Sequence, residues 1–325
     1  MCIRDRAKPL VYNATLLERV DLTDALTIYR IKPDEEPAKR PWFVPGQYCV
    51  LGLNNEVKPE LGSVRRSMSI ASAPEDADPV EFYIRFVAKP ESENPLTHLL
   101  WKLKAGDRMY MRPVAVGVFT IRDTVGEDDP RARVMVAAGT GSAPFVSMLR
   151  SELCRDPDAD LSKWVLLHGA SYASDLGHRE ELQRMVERNR LNYWGTISRP
   201  GGDQAWTGDT GRVESFFEPG KLAMLERRLG MPEGGFTPKT ATVLICGLQG
   251  TIGSTITSLV DRGFVPEQKR MREALGADPA ILASLFYEQY DTEPVINIKD
   301  AAIIDPLRER MRAALIKYGL ASGAA

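Results

Sequence analysis

The chain has 325 residues, 43% of them hydrophobic and 26% charged, and its formal net charge is -2 at pH 7. This composition excludes an intrinsically disordered chain, and the length predicts two domains. The near-neutral charge gives no reason to expect nucleic acid or an anionic membrane as a partner.

The sequence shows no apolar run of transmembrane length and no signal-peptide pattern, which predicts a cytoplasmic protein without membrane insertion. The three histidines are dispersed and are predicted to be structural or exposed. The cysteines form no Cys-x-x-Cys pair; they are Cys2, Cys49, Cys154 and Cys246. We therefore predict no metal site, and in particular no iron–sulfur cluster or structural zinc, on this chain.

Short strands fill the first part of the chain. Residues 25–31 and 80–87 alternate between apolar and polar side chains, and turn-formers such as Pro45-Gly46-Gln47 lie between the strands. One helix is predicted near residues 95–103. Many short strands with frequent turns predict an antiparallel β-barrel, which we place at residues 7–125.

Residues 65–72, RRSMSIAS, differ from an ordinary alternating strand because two adjacent arginines precede three serines. One interpretation is an edge strand with a solvated basic end, which is common in sheets. The other is an anion site, because the guanidinium fork matches phosphate oxygens and hydroxyls can hydrogen-bond a ligand edge. The stretch alone leaves both interpretations open.

The pattern changes after an acidic linker at residues 123–130. Near-continuous apolar runs now alternate with helical patterns, which predicts a parallel sheet with helices on both faces. The apolar runs are 133–138, 164–167 and 241–246, and the helical patterns are 144–153, 180–189 and 252–261. The predicted fold is therefore a barrel followed by a nucleotide-binding α/β domain at residues 130–298.

A glycine-rich turn, Gly139-Thr140-Gly141-Ser142-Ala143-Pro144, directly follows the first buried strand and opens a helix. Glycine permits a sharp turn and a close backbone approach, and proline suits a first helical position. A tight turn without a ligand fits this pattern. At the carboxyl end of a parallel strand, however, the phosphates of a dinucleotide are the expected occupants.

Two later strand ends carry further candidates. Cys246 and Gly247 follow a buried run, where the cysteine is either a small core residue or a site residue. Ser198 and Arg199 end another strand, and Arg212 lies in a nearby glycine turn. These three polar residues are either solvated or bind the 2′-phosphate that distinguishes NADP from NAD.

In order and spacing, these segments together resemble the ferredoxin–NADP(+) reductase superfamily over roughly residues 10–295. The matching segments are Pro45-Gly46-Gln47-Tyr48, Arg66-Ser67-Met68-Ser69, Pro95-Leu96-Thr97, 139–145, 245–250 and Tyr287-Glu288-Gln289-Tyr290. The resemblance implies that FAD binds at the barrel and NADP(H) at the α/β domain, with NADPH passing a hydride to the flavin.

The resemblance also assigns roles to individual residues. It implies FAD binding by Arg66, Ser67, Met68, Ser69 and Thr97. It implies NADP binding by Gly139, Thr140, Gly141, Ala143, Pro144, Ser198, Arg199 and Arg212. Cys246, Gly247 and Glu288 would border the nicotinamide, and the catalytic set would be Ser69, Cys246 and Glu288, with Glu288 as a proton relay toward Ser69.

Three positions depart from the family pattern. Met68 stands where a tyrosine is usual, which predicts an altered flavin affinity or potential. Ser171 replaces an arginine that helps to bind the nucleotide in many relatives. Val295 lies near the position of the terminal aromatic of plant-type members, and the chain continues beyond it.

The continuation at residues 299–325 predicts a helix with Asp305 as its cap, Pro306 in its first turn and Gly319 after its end. Leu307, Met311, Leu315 and Tyr318 share one face of this helix. The helix either packs on the domain surface or gates access of the nicotinamide to the flavin.

Three functions follow from these residues. The first is electron transfer between NADP(H) and a one-electron carrier such as ferredoxin or flavodoxin, by a monomer or weak dimer. The second is a reductase component of an oxygenase system. The third is a regulatory subunit that binds flavin or nucleotide without turnover.

Overall fold

The computed structural model describes residues 9–35, 39–203 and 205–320. Cys2, the first two residues of the predicted barrel domain and the last five of the predicted extension lie outside this range. The chain divides into two compact units: Met1–Ile121 with Ala143–Pro157, called unit 1 here, and Arg122–Ser142 with Asp158–Ala325, called unit 2.

Unit 1 contains a six-stranded antiparallel sheet in the order β4-β3-β6-β1-β2-β5. Its strands are β1 Ala14–Thr23, β2 Leu26–Pro33, β3 Tyr48–Asn54, β4 Ser63–Ser69, β5 Val80–Arg85 and β6 Arg108–Met111. A bridge between Ile70 and Phe82 joins the chain just after β4 to the other edge strand. The sheet thereby closes on itself, and the predicted antiparallel barrel is confirmed.

The barrel core consists of the inward residues of the alternating strands, which include the fully buried Leu16, Tyr29, Ile31, Leu51 and Phe82. The short helix α1, Leu96–Leu100, lies beside β3 and β4. The predicted helix in this part of the chain is thus present, in a shorter form.

Helix α2, Ala143–Arg155, belongs to unit 1, where polar side chains attach it to the chain that follows β4. Ser147 donates through Oγ to the carbonyl of Ser72 at 2.6 Å. Arg150 donates to the carbonyl of Ala71 at 2.9 Å and to the carboxylate of Glu81 at 2.8 Å. Glu81 also accepts a hydrogen bond from Arg30, so a nearly buried carboxylate joins α2 to the barrel.

Unit 2 contains a six-stranded parallel sheet in the order β10-β9-β8-β7-β11-β12. Its strands are β7 Ala132–Ala138, β8 Trp164–Ala170, β9 Asn192–Ile197, β10 Asp209–Thr210, β11 Ala241–Gly247 and β12 Leu285–Gln289. Its helices are α3 Arg179–Asn189, α4 Pro219–Arg228, α5 Gln249–Leu259, α6 Lys269–Ala274 and α7 Ala301–Lys317. The central strands are almost fully buried, as their apolar runs predicted.

The C-terminal helix begins earlier than predicted, so Asp305 is not its cap. Asp300 caps α7 by accepting a hydrogen bond from the amide of Ala302 at 3.0 Å. Pro306 consequently lies inside the helix, where its missing N–H removes one backbone hydrogen bond. Burial of Ile304 in the core of unit 2 explains the longer helix, since it holds the extra turn against the protein.

Helix α7 packs along unit 2, and its course favours the packed-helix interpretation over the gate. Leu307, Met311 and Leu315 are buried in the core cluster of this unit. Arg310 forms an ion pair with Asp261, just after the end of α5. The last turn of α7 therefore lies toward the amino-terminal edge of the sheet, whereas the predicted nicotinamide residues end β11 and β12 at the opposite edge.

None of the helices in the described ranges is both long and apolar enough to cross a bilayer. The same residues contain no group of three or more His, Cys, Asp or Glu side chains that could hold a metal ion.

Candidate functional site

Strand β4 presents different residues on its two faces. In the antiparallel register with β3, Arg66 is opposite Leu51 and Met68 is opposite Cys49. Directly opposed residues share a face of a sheet, and both β3 partners belong to the barrel core. Arg66 and Met68 therefore share the core-side face of the edge strand, while Arg65 lies on the other face.

The two arginines of β4 are exposed cations without acidic partners. Neither Arg65 nor Arg66 has a carboxylate within ion-pair distance among the residues that the structure describes. The guanidinium of Arg66 donates to the carbonyl of Arg65 at 2.8 Å and leaves other donors available. Two adjacent, uncompensated cations on an edge strand fit an anion such as a diphosphate better than a neutral ligand.

The other predicted FAD residues surround this strand end. Ser67 is exposed on the face of Arg65, and Ser69 is 7% exposed at the end of β4. Thr97, in α1, is also buried, and its hydroxyl accepts a hydrogen bond from the amide of Val87 at 3.4 Å. The sequence-predicted residues are thus in one region of unit 1, and their individual roles stay predictions.

A tight turn before β3 supports this strand pair. Gly46 has a φ of +97°, and a Cβ there would lie 2.0 Å from the carbonyl oxygen of Phe119. The side chain of Gln47 accepts from the amide of Val44 and donates to the carbonyl of Gly117, both at 3.0 Å. The Pro-Gly-Gln-Tyr motif therefore has a structural role: it fixes Tyr48, which is opposite Ser69 in the sheet.

In unit 2, the glycine-rich turn forms a 3-10 turn, Gly139–Ser142, at the carboxyl end of β7. Gly139 has a φ of +55°, in the left-handed region that glycine adopts at little cost. A Cβ on Gly141 would lie 2.1 Å from the carbonyl oxygen of Cys246, so only glycine allows the turn to approach the end of β11. Thr140 is half-buried and next to these glycines.

Ala143 and Pro144 begin α2 and are buried. The side chain of Ala143 packs in unit 1 with a small apolar cluster that includes Leu26, Ala71 and Tyr83. Of the two, Ala143 has a backbone N–H that suits the predicted nucleotide role, whereas Pro144 has none to donate.

Cys246 and Glu288 are directly opposed on the neighbouring parallel strands β11 and β12. The thiol sulfur lies 4.0 Å from Oε2 of Glu288. Burial raises the pKa of the Cys246 thiol well above its ordinary value, and the carboxylate of Glu288 raises it further. Cys246 is therefore a neutral thiol at physiological pH, which suits packing against an uncharged ring better than nucleophilic attack.

The turn of Gly139 and Gly141 and the ends of β11 and β12 meet at one edge of the parallel sheet. Gly247 belongs to this group, since a Cβ there would lie 3.3 Å from that of Ala138. The structure thus brings together the phosphate-loop and nicotinamide residues that the sequence predicted separately. Glu288 and Ser69 belong to different units, so the proton relay between them stays a prediction.

The residues predicted to bind the 2′-phosphate lie near one another, where the paired strands β9 and β10 end. Ser198 and Arg199 are exposed after β9, where their amides donate to the carbonyls of Ala170 and Ser171 at 2.9 and 3.0 Å. Arg212 is exposed, forms an ion pair with Glu214 at 2.7 Å, and has a guanidinium nitrogen 3.4 Å from the position of a Cβ on Gly250. The amide of Gly211 donates to the carbonyl of Ile197 at 2.9 Å, so Arg212 lies near Ser198 at the end of β9, and its side chain extends toward the first turn of α5.

Sequence reasoning identified no partner for His168. It was expected only to be structural or exposed, but it is fully buried in β8 and its Nε2 lies 3.1 Å from the carbonyl oxygen of Gly139. The one sequence signal is that a polar ring continues the apolar run of residues 164–167. Nothing in the sequence indicates which carbonyl a residue so distant in the chain would contact.

Comparisons with known proteins agree with this geometry. The oxidoreductase NAD-binding domain family matches residues 135–255. A flavodoxin/ferredoxin–NADP reductase of Shigella flexneri is 31% identical over 207 residues, which are 63% of this chain and 74% of that protein. Ferredoxin–NADP reductase A of Sorangium cellulosum is 28% identical over 262 residues, covering 77% of this chain and 83% of the relative.

Among solved structures, a ferredoxin NADP+ reductase from Neisseria gonorrhoeae with bound FAD and NADP aligns with a TM-score of 0.65 at 21% identity. The alignment covers 86% of this chain and 98% of that one. The fold is thus the two-domain fold of flavin-dependent, pyridine nucleotide-linked reductases. Together with the sequence relatives, it establishes that the chain belongs to the ferredoxin–NADP(+) reductase family.

Proposed function

We propose that this protein is an FAD-dependent oxidoreductase that transfers electrons between NADP(H) and a one-electron carrier such as ferredoxin or flavodoxin. The observation that supports the proposal is that one chain carries two different groups of residues suited to binding dinucleotides. One is the uncompensated cation pair on β4 of the barrel. The other is the glycine turn Gly139–Ser142 beside Cys246 and Glu288.

The barrel residues suit FAD because of their charge and because of the face of β4 on which they lie. Arg66 would hold the diphosphate through its guanidinium, and Met68, on the same face of β4, would cover part of the flavin ring. The hydroxyls of Ser69 and Thr97 would bond the ring edge and the phosphate side of the cofactor. Bound FAD supplies the redox chemistry, since it accepts a hydride from NADPH and returns the electrons singly.

The residues of the α/β domain suit NADP(H) because their backbone can approach the nucleotide closely. The turn at Gly139 and Gly141 offers a glycine-built cradle at the start of a helix, which is a favourable place for a pyrophosphate. Cys246 and Glu288 would border the nicotinamide, with the buried thiol neutral. Arg212 would contact the 2′-phosphate together with Ser198 and Arg199, which follow the neighbouring strand β9.

The carrier would be acidic, because Arg65 is an exposed cation on the face of β4 opposite to that of Arg66, and complementary charge speeds the encounter of electron-transfer partners. The relatives named above are ferredoxin or flavodoxin reductases, which supports a carrier of that type. We propose a cytoplasmic protein that acts as a monomer or weak dimer and has no nucleic-acid partner.

An anaerobic titration tests this function. The purified protein should be yellow, bleach with NADPH more readily than with NADH, and then reduce added ferredoxin or flavodoxin. A yellow protein that never bleaches would support a non-catalytic flavin-binding subunit instead. A protein that bleaches but reduces neither carrier would support a reductase component with a dedicated oxygenase partner.

A further inference from the structure

We propose that His168 is a positioning residue for the dinucleotide turn Gly139–Ser142, acting through a hydrogen bond to the Gly139 carbonyl. The proposal rests on the proposed binding of NADP(H) at this turn. It assigns His168 no contact with the nucleotide. Its role is to fix the direction of the peptide group that faces the pyrophosphate.

The carbonyl oxygen of Gly139 has two side-chain neighbours that can donate to it. Nε2 of His168 lies at 3.1 Å and Oγ of Ser142 at 3.3 Å. Both side chains are completely buried, so water does not compete with either hydrogen bond. Since a carbonyl oxygen only accepts, the imidazole must carry its proton on Nε2.

The surroundings of His168 favour this tautomer. With Nε2 protonated, Nδ1 has a free lone pair, and the hydroxyl of Tyr193 lies 3.5 Å from it as a long donor. Burial lowers the pKa of His168 to about 4, against a smaller opposing effect of the bond to Gly139. The ring is therefore neutral at the pH at which the enzyme would work, and its hydrogen bond is constant there.

The hydrogen bond has a direct consequence for the nucleotide site. The carbonyl of Gly139 and the amide N–H of Thr140 belong to one planar trans peptide group and point in opposite directions. When His168 holds the carbonyl toward the interior, the amide of Thr140 must point outward, toward the predicted pyrophosphate. Gly139 needs this support because its φ of +55° is one of several conformations that glycine adopts easily.

The opposite side of the turn leaves little freedom. Gly141 is so close to the carbonyl of Cys246 that a Cβ would lie 2.1 Å from it. The turn is thus held between His168 on β8 and Cys246 on β11, the strands on either side of β7. Loss of the His168 bond would let the Gly139 peptide rotate without moving Gly141, which would weaken binding while the fold persists.

The test compares His168→Phe with His168→Gln in the FAD-loaded enzyme. Phenylalanine keeps a flat ring and removes the donor, while the amide nitrogen of glutamine can take the place of Nε2. We expect His168→Phe to raise KM for NADPH and for NADH by the same factor, about tenfold, from the loss of a buried hydrogen bond. His168→Gln should restore most of the affinity, and kcat and FAD content should stay within about twofold in both variants.

Asn192→Leu is the matched control. Its side-chain amide donates to the carbonyl of Ser162 at 2.8 Å, so it also joins β9 to the chain next to β8, but at the amino-terminal edge of the sheet. We expect this variant to leave both KM values unchanged. An unchanged KM in His168→Phe, or an equal rise in the Phe and Gln variants, would overturn the proposal.

A measurement on the unmutated protein covers the case in which His168→Phe does not fold. Nitrogen-15 NMR of histidine-labelled holoenzyme should show one buried imidazole that is protonated on Nε2 and does not titrate between pH 5.5 and 8, roughly the range well above its lowered pKa. A buried imidazole protonated on Nδ1 contradicts the proposal. Failure of the unmutated enzyme to oxidise NADPH would instead count against the proposed function.

Discussion

The two proposed dinucleotide sites of this chain rely on different kinds of interaction. In the middle of β4, the barrel presents exposed cations, Arg65 and Arg66, that have no acidic partner in the described part of the chain. At the end of β7, the parallel sheet presents a turn without charged side chains, held by glycine contacts and by the buried ring of His168. The difference indicates two ways to bind a diphosphate: flexible, charged side chains would bind it in the barrel, and a rigid backbone turn would bind it in the parallel sheet.

Each solution has its own weakness. Exposed guanidinium groups are screened by salt and keep side-chain freedom that binding must remove. A glycine turn is insensitive to salt but depends on neighbours that fix its conformation. Ligand binding at the barrel site should therefore be sensitive to the removal of a charge. Ligand binding at the sheet site should be sensitive to the addition of a single methyl group.

The largest expected effect concerns the buried carboxylate that joins α2 to the barrel. Glu81 is 5% exposed and accepts from Arg30 at 3.0 Å and from Arg150 at 2.8 Å. Glu81→Gln removes the negative charge that both arginines contact, although Arg30 keeps its ion pair with Glu18, and should lower the free energy of unfolding by about 3 kcal/mol, the lower end of the range for a broken buried pair. Urea unfolding followed by tryptophan fluorescence measures this loss.

The control for that experiment is Glu152→Gln. Glu152 pairs with Arg155 on the solvent side of α2, and its side chain is 33% exposed. This exposed pair should contribute about 0.5 kcal/mol or less. Equal losses in the two variants would show that the buried ion pairs of Glu81 contribute no more to stability than an exposed pair.

The second prediction tests the shape dependence of the sheet site. Gly141→Ala would place a methyl group against the Cys246 carbonyl and force the turn to move, a strain of about 1–3 kcal/mol. We expect NADPH affinity to fall by about 30-fold, within that range, while FAD content is unchanged. Gly220→Ala, in α4 with open space around it, should change neither quantity. Normal NADPH binding by Gly141→Ala would contradict the close approach.

Much of the sheet site was predictable because it depends on local sequence. An apolar strand followed by Gly139 and Gly141 has few possible conformations, and the carboxyl ends of parallel strands must share an edge. The partnership of His168 with Gly139 was not predictable, since it depends on which strands are neighbours and on a side-chain direction within β8. Long-range hydrogen bonds of this kind leave no local pattern.

The C-terminal helix gives a second example. Asp300 and Asp305 are both suitable caps, and Pro306 favoured the later one on local grounds. Burial of Ile304 in the core favours Asp300 as the cap, although the helix then lacks the backbone hydrogen bond that Pro306 cannot donate. The direction of α7 along unit 2 was also inaccessible, because the sequence pattern defines an apolar face and not the surface that covers it.

The third prediction tests the charge dependence of the barrel site. Arg66→Ala should weaken FAD binding by about 20-fold, because a hydrogen bond to a charged group contributes about 1.5–3 kcal/mol. The ratio of flavin to protein absorbance after dialysis measures this loss. Arg65→Ala is the matched control, since Arg65 lies on the opposite face of β4. If the two variants lose FAD equally, net positive charge is sufficient and the face of the strand does not matter.

The smallest expected effect concerns the exposed cation of the other unit. Arg212 already pairs with Glu214 at 2.7 Å, and its side chain is 66% exposed. The free energy that it gains by binding a phosphate is therefore partly offset by the weakening of this ion pair. Arg212→Ala should raise KM for NADPH by about threefold, from a net contribution below about 1 kcal/mol, and leave KM for NADH unchanged. A rise that is equal for both nucleotides would mean that Arg212 supports the shared pyrophosphate site. In that case charge would contribute to binding in both units, and the contrast between them would be one of degree.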